Sequence, residues 1–516
     1  MDWDEEKVAI KNHTDILKKL NRLPPPNMAK EVYLHDLHKW ALSPSSFPDF
    51  KISKYANEVN LTLEEDFCIE ATTSTTASHI LLKTFINDGD LTWFKEFLIS
   101  HDLYMTEDYP FLETKQKNNQ IVSQLEMLFN YGQIWNLRGC SENKTLGEIV
   151  FPFGEGVVKK YDGDETKLDK SITSWKNEVF EKMNQEKKHT CFDIYSLLKR
   201  KGMIAELLFR SLEESNVDFI DVEGEDIVLG DIDDPEVLKL LQQQEQMDVE
   251  EPECKLVEES KDMAGNQDDY LQSRLQYFGD SQLLTANNDA VMMQWEYKIM
   301  KLSADSLFSQ TFPMDGFPVP SSDVCDTDDE IINVLNIGFG MGIIDTYIQE
   351  NITKLRELYP HKQFHHYIIE AHPDVLQQME DKKWFEKKNV HVLKGRWQDQ
   401  LMSLLDQNIF FNGIYYDTFS EHYKDMLELY DTIIGMIKYE NGIFSFFNGL
   451  GSDCVFFYDV YKDLVKLDLL EKYGLKCTYM NMLVDTIDEK TWESNTKNYF
   501  DCTVFYHQMI TLNHEI

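Results

Sequence analysis

Basic residues are scarce in this chain of 516 residues: 50 Lys and Arg stand against 91 Asp and Glu, a formal charge of −41. Contacts to phosphates draw on Lys and Arg, so direct nucleic-acid binding is not expected. Two readings of the acidic excess stand, attraction of a basic partner or substrate and solubility alone. The eight cysteines are scattered, and no two form a C-x-x-C pair. Neither a disulfide framework nor a zinc site is expected, and a reducing compartment fits. No apolar run approaches the ~18 residues of a membrane span. The opening MDWDEEKVAI has no apolar core, so neither a secretory leader nor a mitochondrial presequence is expected. These absences point to the cytoplasm, with the nucleus left open, and to no membrane partner.

What is present suffices for globular packing, with 42% hydrophobic and 12% aromatic residues. The length predicts two or three domains. Charge divides them. Residues 213–269 hold 21 acidic and 3 basic side chains, and low apolar content with like-charge repulsion predicts a flexible acidic linker there. Before it, a helical extension is expected over 1–60, interrupted by Pro24, Pro25 and Pro26. A helical region follows over 61–212. Residues 79–103 carry two apolar-periodic runs broken at Asn87, Asp88, Gly89 and Asp90, and 124–150 repeat the theme. The pattern resembles degenerate ankyrin repeats, although the usual T-P-L-H is missing. A docking surface and simple packing on the next domain are both open readings. Residues 191–215 predict another helix pair with a turn at Lys201 and Gly202, and 151–190 read as a polar insertion.

From Glu330 onward strands and helices alternate. Strands are predicted at 332–338, 364–370, 390–394, 411–417 and 442–448, with later ones at 475–481 and 500–507. Such alternation implies a mostly parallel sheet with helices on both faces, and a ligand beyond the C-terminal strand ends. The polar motifs fall at those ends. Residues 334–342 (VLNIGFGMG) run from an apolar strand into a glycine turn, and Glu370 ends the next strand, placed to accept ribose hydroxyls. Trp397 and Gln398 follow the third strand, Asp417 the fourth and Asn448 the fifth. Upstream, residues 291–300 (VMMQWEYKIM) predict a helix with Met292, Trp295, Ile299 and Met300 near one face.

Taken together over 270–516, VMMQWEYKIM, LNIGFGMGIIDTYI, HYIIEAHPDVLQQM, LKGRWQD, FNGIYYDTF and FSFFNGL resemble guanidinoacetate methyltransferases. They resemble more closely the fungal type IV protein arginine methyltransferases, which methylate the internal (δ) nitrogen of arginine and share the ankyrin-like N-terminus. The resemblance implies a Rossmann-like class I methyltransferase domain over 270–516 using S-adenosylmethionine. Tyr270 (with Tyr277 as the alternative), Met292, Met300, Phe339, Gly340, Met341, Gly342, Ile343 and Ile344 would contact that cofactor. Glu370 would hold its ribose, Trp397 and Gln398 its adenine, and Asp417 would reach its reacting end. Two departures stand out: Lys298 replaces a proline of the family, and Asn336 ends the first strand where many methyltransferases place an acid.

A guanidinium is planar and always protonated in water, so its nitrogens are poor nucleophiles. Methylating one calls for carboxylates that clamp the plane and accept a proton, and Glu296 and Asp417 are the expected catalytic pair. The family implies a basic protein substrate, a ribosomal protein of the large subunit, acted on by a monomer. A methyltransferase of small guanidino compounds and a non-catalytic ankyrin-type scaffold remain the alternatives.

Overall fold

A computed structural model describes residues 76–88, 118–130, 133–139, 144–158, 170–214, 267–279, 281–320, 330–419, 423–485, 487, 491–492 and 498–512. The expected extension over 1–60 and nearly all of the acidic segment over 213–269 lie outside the described residues.

The first half holds helices α1 (Ala77–Ile86) and α2 (Asn118–Asn130), strands β1 (Arg138–Gly139) and β2 (Lys144–Thr145), helices α3 (Leu146–Val150), α4 (Glu155–Val158) and α5 (Lys170–Trp175), a π-turn at Lys176–Phe180, and α6 (Gln185–Glu214). Thr76 caps α1, with its Oγ1 2.9 Å from His79 Nδ1 and its N–H donating to the same nitrogen at 3.3 Å. With Nδ1 accepting, Nε2 carries the proton and donates to the Leu137 carbonyl at 3.2 Å. Burial keeps this ring neutral by lowering its pKa to about 4. Thr145 and Glu148 repeat the device at α3, where the Thr145 N–H donates to the Glu148 carboxylate at 2.8 Å. The T-P-L-H signature is thus absent as written, yet Thr76-Ala77-Ser78-His79 keeps its first and last residues.

Two expectations need correction. No turn interrupts Lys201 and Gly202: α6 runs unbroken for 30 residues. Gly202 serves a close approach instead, because a Cβ there would lie 2.8 Å from the Trp135 ring. Nor are residues 151–190 simply a polar insertion. Phe151, Val157, Ile172 and Phe180 from that stretch are all buried.

The second half contains α7 (Gln267–Gln272), an antiparallel sheet of β3 (Gln276–Phe278), β4 (Gln282–Leu284) and β5 (Ala290–Met293), a 3₁₀ turn at Gln294–Glu296, and α8 (Tyr297–Ser306). Residues 291–300 are therefore a strand, a turn and a helix, not one helix. Pairing with β4 holds Met292 and Met293 extended, and the chain turns only at Gln294.

The main elements follow: β6 (Ile331–Ile337), α9 (Ile343–Leu358), β7 (Gln363–Glu370), α10 (Pro373–Asp381), β8 (Val390–Lys394), α11 (Trp397–Asp406), β9 (Gly413–Tyr416), α12 (Tyr423–Ile433), β10 (Ile443–Phe446), α13 (Val455–Tyr473), β11 (Leu475–Leu483) and β12 (Val504–Leu512). They build one seven-stranded sheet in the order β11-β12-β10-β9-β6-β7-β8. The five strands from β10 to β8 are parallel, and β12 runs antiparallel to both neighbours. Every residue of β9 and β10 is buried, as a parallel sheet covered on both faces requires. Ile332 and Val334 of β6 pack with Ile343, Ile348 and Ile352 of α9, while Leu335 and Ile337 face the core that includes Leu401, Leu429 and Val465. Strand order reverses between β6 and β9, and a crevice opens at the reversal.

Helix α13 joins the two halves. Its start, with Phe456 and Val460, belongs to the core built by Leu81, Leu125, Trp135 and Ile194. Its later Val465 and Leu469 lie against the sheet. At the junction the fully buried Asp459 carboxylate receives the Tyr195 hydroxyl at 2.7 Å, the Tyr506 hydroxyl at 2.6 Å and the Glu155 N–H at 3.0 Å. Burial alone would raise its pKa, but Lys462, Lys199 and the two hydroxyls outweigh burial and lower it. Lys199 closes the cluster with contacts of 2.8 Å to Glu155 and 2.7 Å to Asp463. Asp459→Asn removes the charge from these bonds and should cost about 2–4 kcal/mol. Urea unfolding followed by tryptophan fluorescence measures it, and an unchanged midpoint would show that the cluster does not secure the junction.

Candidate functional site

Backbone hydrogen bonds carry the sheet pattern one residue past its edge. The Gly338 N–H donates to the Ile369 carbonyl, the Asp417 N–H to the Ile337 carbonyl and the Gly395 N–H to the Glu370 carbonyl, at 2.8–2.9 Å. The ends of β6, β7, β8 and β9 are thereby held side by side around one cleft. The cleft encloses about 740 Å³, part of it open to solvent, and Met292, Gly338, Glu370, Trp397, Gln398 and Asp417 are among the residues lining it.

Gly338 sets its floor. Its φ is +93°, and a Cβ there would stand 2.0 Å from the Asp417 carbonyl oxygen. No other residue fits, so strands β6 and β9 meet at bare backbone. Below the turn Asn336 is fully buried, and its amide donates to both oxygens of the buried Asp345 at 3.0 and 2.9 Å. His366 Nε2 lies 3.1 Å from the same carboxylate. An acid on the first turn of α9 therefore lies beneath the glycine turn, tied back to the strand by Asn336.

Glu370 is fixed by three backbone donors: Phe339 N–H at 2.9 Å, Ala371 N–H at 2.8 Å and His372 N–H at 2.7 Å. Burial raises its pKa against these donors. Oε1 already accepts two of these bonds and Oε2 one, so acceptor capacity for a ligand hydroxyl lies on Oε2. Trp397 is buried edge-on to Tyr416, with ring centres 6.0 Å apart. Across the cleft Tyr270 stacks on Phe419 at 4.5 Å, and His372 Nε2 lies 3.1 Å from the Tyr270 carbonyl oxygen.

Two more carboxylates complete the site. Asp417 borders the cleft, and its Oδ2 is buried without a hydrogen-bond partner. Burial, helped by Asp345, pushes its pKa up to about 7. Glu296 sits behind it at 3% exposure, and burial followed by the charge of Asp417 raises its pKa well above the carboxylate range.

The structure gathers Tyr270, Met292, Gly340, Glu370, Trp397, Gln398 and Asp417 on the cleft wall. Phe339, Met341, Gly342, Ile343 and Ile344 form the turn and helix start behind that wall; Phe339 packs on Trp384, and Ile344 is fully buried. Met300 does not line the cleft. It is fully buried, with its sulfur 3.8 Å from the Tyr415 hydroxyl. Tyr277, the alternative to Tyr270, donates to the Gly340 carbonyl at 3.3 Å. Sequence reasoning passed over the Asn336–Asp345–His366 cluster and Phe419; the acid three residues into the helix after the glycine turn was a signal for the first, and nothing local marked the second.

The guanidinoacetate N-methyltransferase family profile matches residues 329–468. Protein arginine N-methyltransferase 2 of Saccharomyces cerevisiae is 38% identical over 404 residues, covering 78% of this chain and 80% of its own. That of Eremothecium gossypii is 32% identical over 503 residues, 96% of this chain and 99% of its own. The chain belongs to the protein arginine N-methyltransferase 2 family. It is accordingly a methyltransferase, and the cofactor its sequence implies is S-adenosylmethionine. Among solved structures, an O-methyltransferase from Bacillus cereus in complex with SAH is 12% identical, covers 44% of this chain and 86% of its own, and has a TM-score of 0.28.

The cleft of this family member fits the cofactor on its own chemistry. The cradle at Gly338 tolerates no side chain, apolar walls from Met292, Ile337 and Ile369 face the polar ends Glu370 and Asp417, and the unpartnered Asp417 oxygen would suit a sulfonium cation. Glu370 would hold the ribose, Trp397 and Gln398 the adenine, and Asp417 the charged end.

Gly338→Ala should abolish cofactor binding, measured by calorimetry, because the two strand ends must separate; retained affinity would place the ligand elsewhere. Asp417→Asn should raise the melting temperature by about 1–3 °C at pH 8. A carboxyl with a raised folded-state pKa loses stability as pH climbs from its unfolded value of 3.8 through about 7. The advantage of Asn should thus vanish toward pH 4, and an equal gap at all pH values would contradict the assignment.

Proposed function

We propose that this enzyme transfers a methyl group to the internal (δ) guanidino nitrogen of an arginine in a basic protein, with a ribosomal protein of the large subunit as the expected substrate. The observation that carries the reading is the pair Glu296 and Asp417. Glu296 is buried close to Asp417, neither has a cationic partner among the described residues, and the charge of Asp417 raises the electrostatic cost of ionising Glu296. A planar cation with five N–H donors satisfies both at once. The relatives named as protein arginine N-methyltransferase 2 support arginine as the group acted on. The choice of the δ-nitrogen and of a ribosomal protein rests on the family resemblance. The acidic chain favours a basic protein by long-range attraction, and the ankyrin-like helices would supply the docking surface.

When bound, S-adenosylmethionine supplies an electrophilic methyl group on a sulfonium. Glu296, held behind the cleft, orients the guanidinium. Asp417, at the cleft wall, makes the second contact and takes the proton that the alkylated nitrogen releases. Holding the nitrogen in line supplies much of the rate.

The test is incubation with labelled S-adenosylmethionine and a basic ribosomal protein fraction, beside an Asp417→Asn variant. Acid hydrolysis should return label as δ-N-methylarginine, and the variant should lose at least about a hundred-fold in rate. Transfer to free guanidinoacetate with none to protein would favour a small-molecule enzyme, the reading that the guanidinoacetate N-methyltransferase profile match supports. Since Asp417 must be ionised to bind a cation, kcat/KM should fall about ten-fold per unit below a pH of about 7.

A further inference from the structure

The described residues 498–503, just ahead of β12, place Tyr499 against Glu296. The Tyr499 hydroxyl donates to Glu296 Oε1. A second bond, from the Met293 backbone, reaches the same carboxylate. Tyr499 is itself held. Its ring packs on Trp295 at 5.9 Å and edge-on to Trp492 at 5.1 Å. Ser452 Oγ lies 2.8 Å from its carbonyl oxygen, and the Asp501 N–H donates to the Ser452 carbonyl at 2.7 Å. Lys298, the residue that replaces the family proline, pairs with Asp485 at the start of the connection from β11 to β12. The loop is thus tied at both ends to the segment that carries Glu296.

Tyr499 leaves the two carboxylates unequal. One oxygen of Glu296 is already occupied, whereas Asp417 Oδ2 has no hydrogen-bond partner. Asp417 Oδ2 is thus an open acceptor atom for a guanidinium, whereas Glu296 Oε1 already carries a bond.

We propose that Tyr499 is a positioning residue for the substrate: its hydroxyl occupies Glu296 Oε1, so that Glu296 offers the guanidinium one acceptor oxygen and the cation is gripped in a single rotational setting. A tethered arginine guanidinium offers a carboxylate two different bidentate edges, end-on through both terminal nitrogens or side-on through the internal and one terminal nitrogen, and each turns a different nitrogen toward the methyl donor. Occupying one Glu296 oxygen makes the two grips unequal. Tyr499 therefore acts through Glu296 on which nitrogen faces the methyl donor. This inference rests on the guanidinium reading of the site.

The experiment compares the parent chain with Tyr499→Phe, which removes only the hydroxyl, using S-adenosylmethionine and the basic ribosomal protein fraction. Binding of S-adenosylhomocysteine is measured calorimetrically on the same preparations. The variant should bind S-adenosylhomocysteine within two-fold of the parent and show a KM for the protein substrate raised about ten-fold. Terminal-nitrogen methylarginine should appear beside the δ-product after acid hydrolysis. The acid limb of kcat/KM should also move to higher pH, because Glu296 loses a donor that favours its charged form. Unchanged KM, product pattern and pH profile would overturn the proposal. Loss of S-adenosylhomocysteine binding would overturn it too, by making Tyr499 a structural residue. If the parent chain transfers to no arginine, the guanidinium reading fails first and this inference with it.

Discussion

Glu370 and Asp417 line one cleft with Glu296 buried close to Asp417, and none of the three forms an ion pair with a Lys or Arg among the described residues. Concentrating negative charge away from water is costly, and the surrounding architecture manages that cost without cancelling it. Glu370 is satisfied by three backbone N–H groups at the end of β7. Glu296 is held by Tyr499 and the Met293 backbone. Asp345, one layer below, is bound by the Asn336 amide and approached by His366. Asp417 alone keeps an oxygen with no partner. What remains unsatisfied is the demand for a cation, at the place where a sulfonium and a guanidinium would meet.

Much of this was legible in the linear sequence, for a physical reason. In a parallel sheet the ligand side is the C-terminal edge of every strand, so the residues that matter lie just after apolar runs. Glu370 after HHYII and Asp417 after IYY could be placed without coordinates. The N-terminal half resisted the same treatment. Gly202 looks like a helix stop, yet it lies in mid-helix because the Trp135 ring needs the space. A sequence gives no sign that a glycine has a tertiary neighbour, and the role of the buried Phe151 and Ile172 was hidden by the polar residues around them.

Inside the site, legibility ended where contacts become long-range. Met300 has the right spacing for a cleft residue, but the strand–turn–helix course of 290–306 carries it into the core against Tyr415. Tyr499 lies 203 positions from Glu296 and follows no strand. Nothing periodic marks it. Asn336 looked like a departure from the usual pattern; in space its amide holds the Asp345 carboxylate beneath the same turn.

The Asp459 cluster has a bearing on how the protein comes into being. Its contacts join Glu155 and Tyr195 to a residue 304 and 264 positions later. At a synthesis rate of about 5–20 residues per second, the N-terminal helices leave the ribosome roughly 15–60 s before α13 exists to receive them. During that interval Leu81, Leu125 and Trp135 lack the Phe456 side of their core. The nascent chain therefore carries an uncovered apolar face over that interval, and its early helices gain their full core only when the last quarter of the polypeptide has been made.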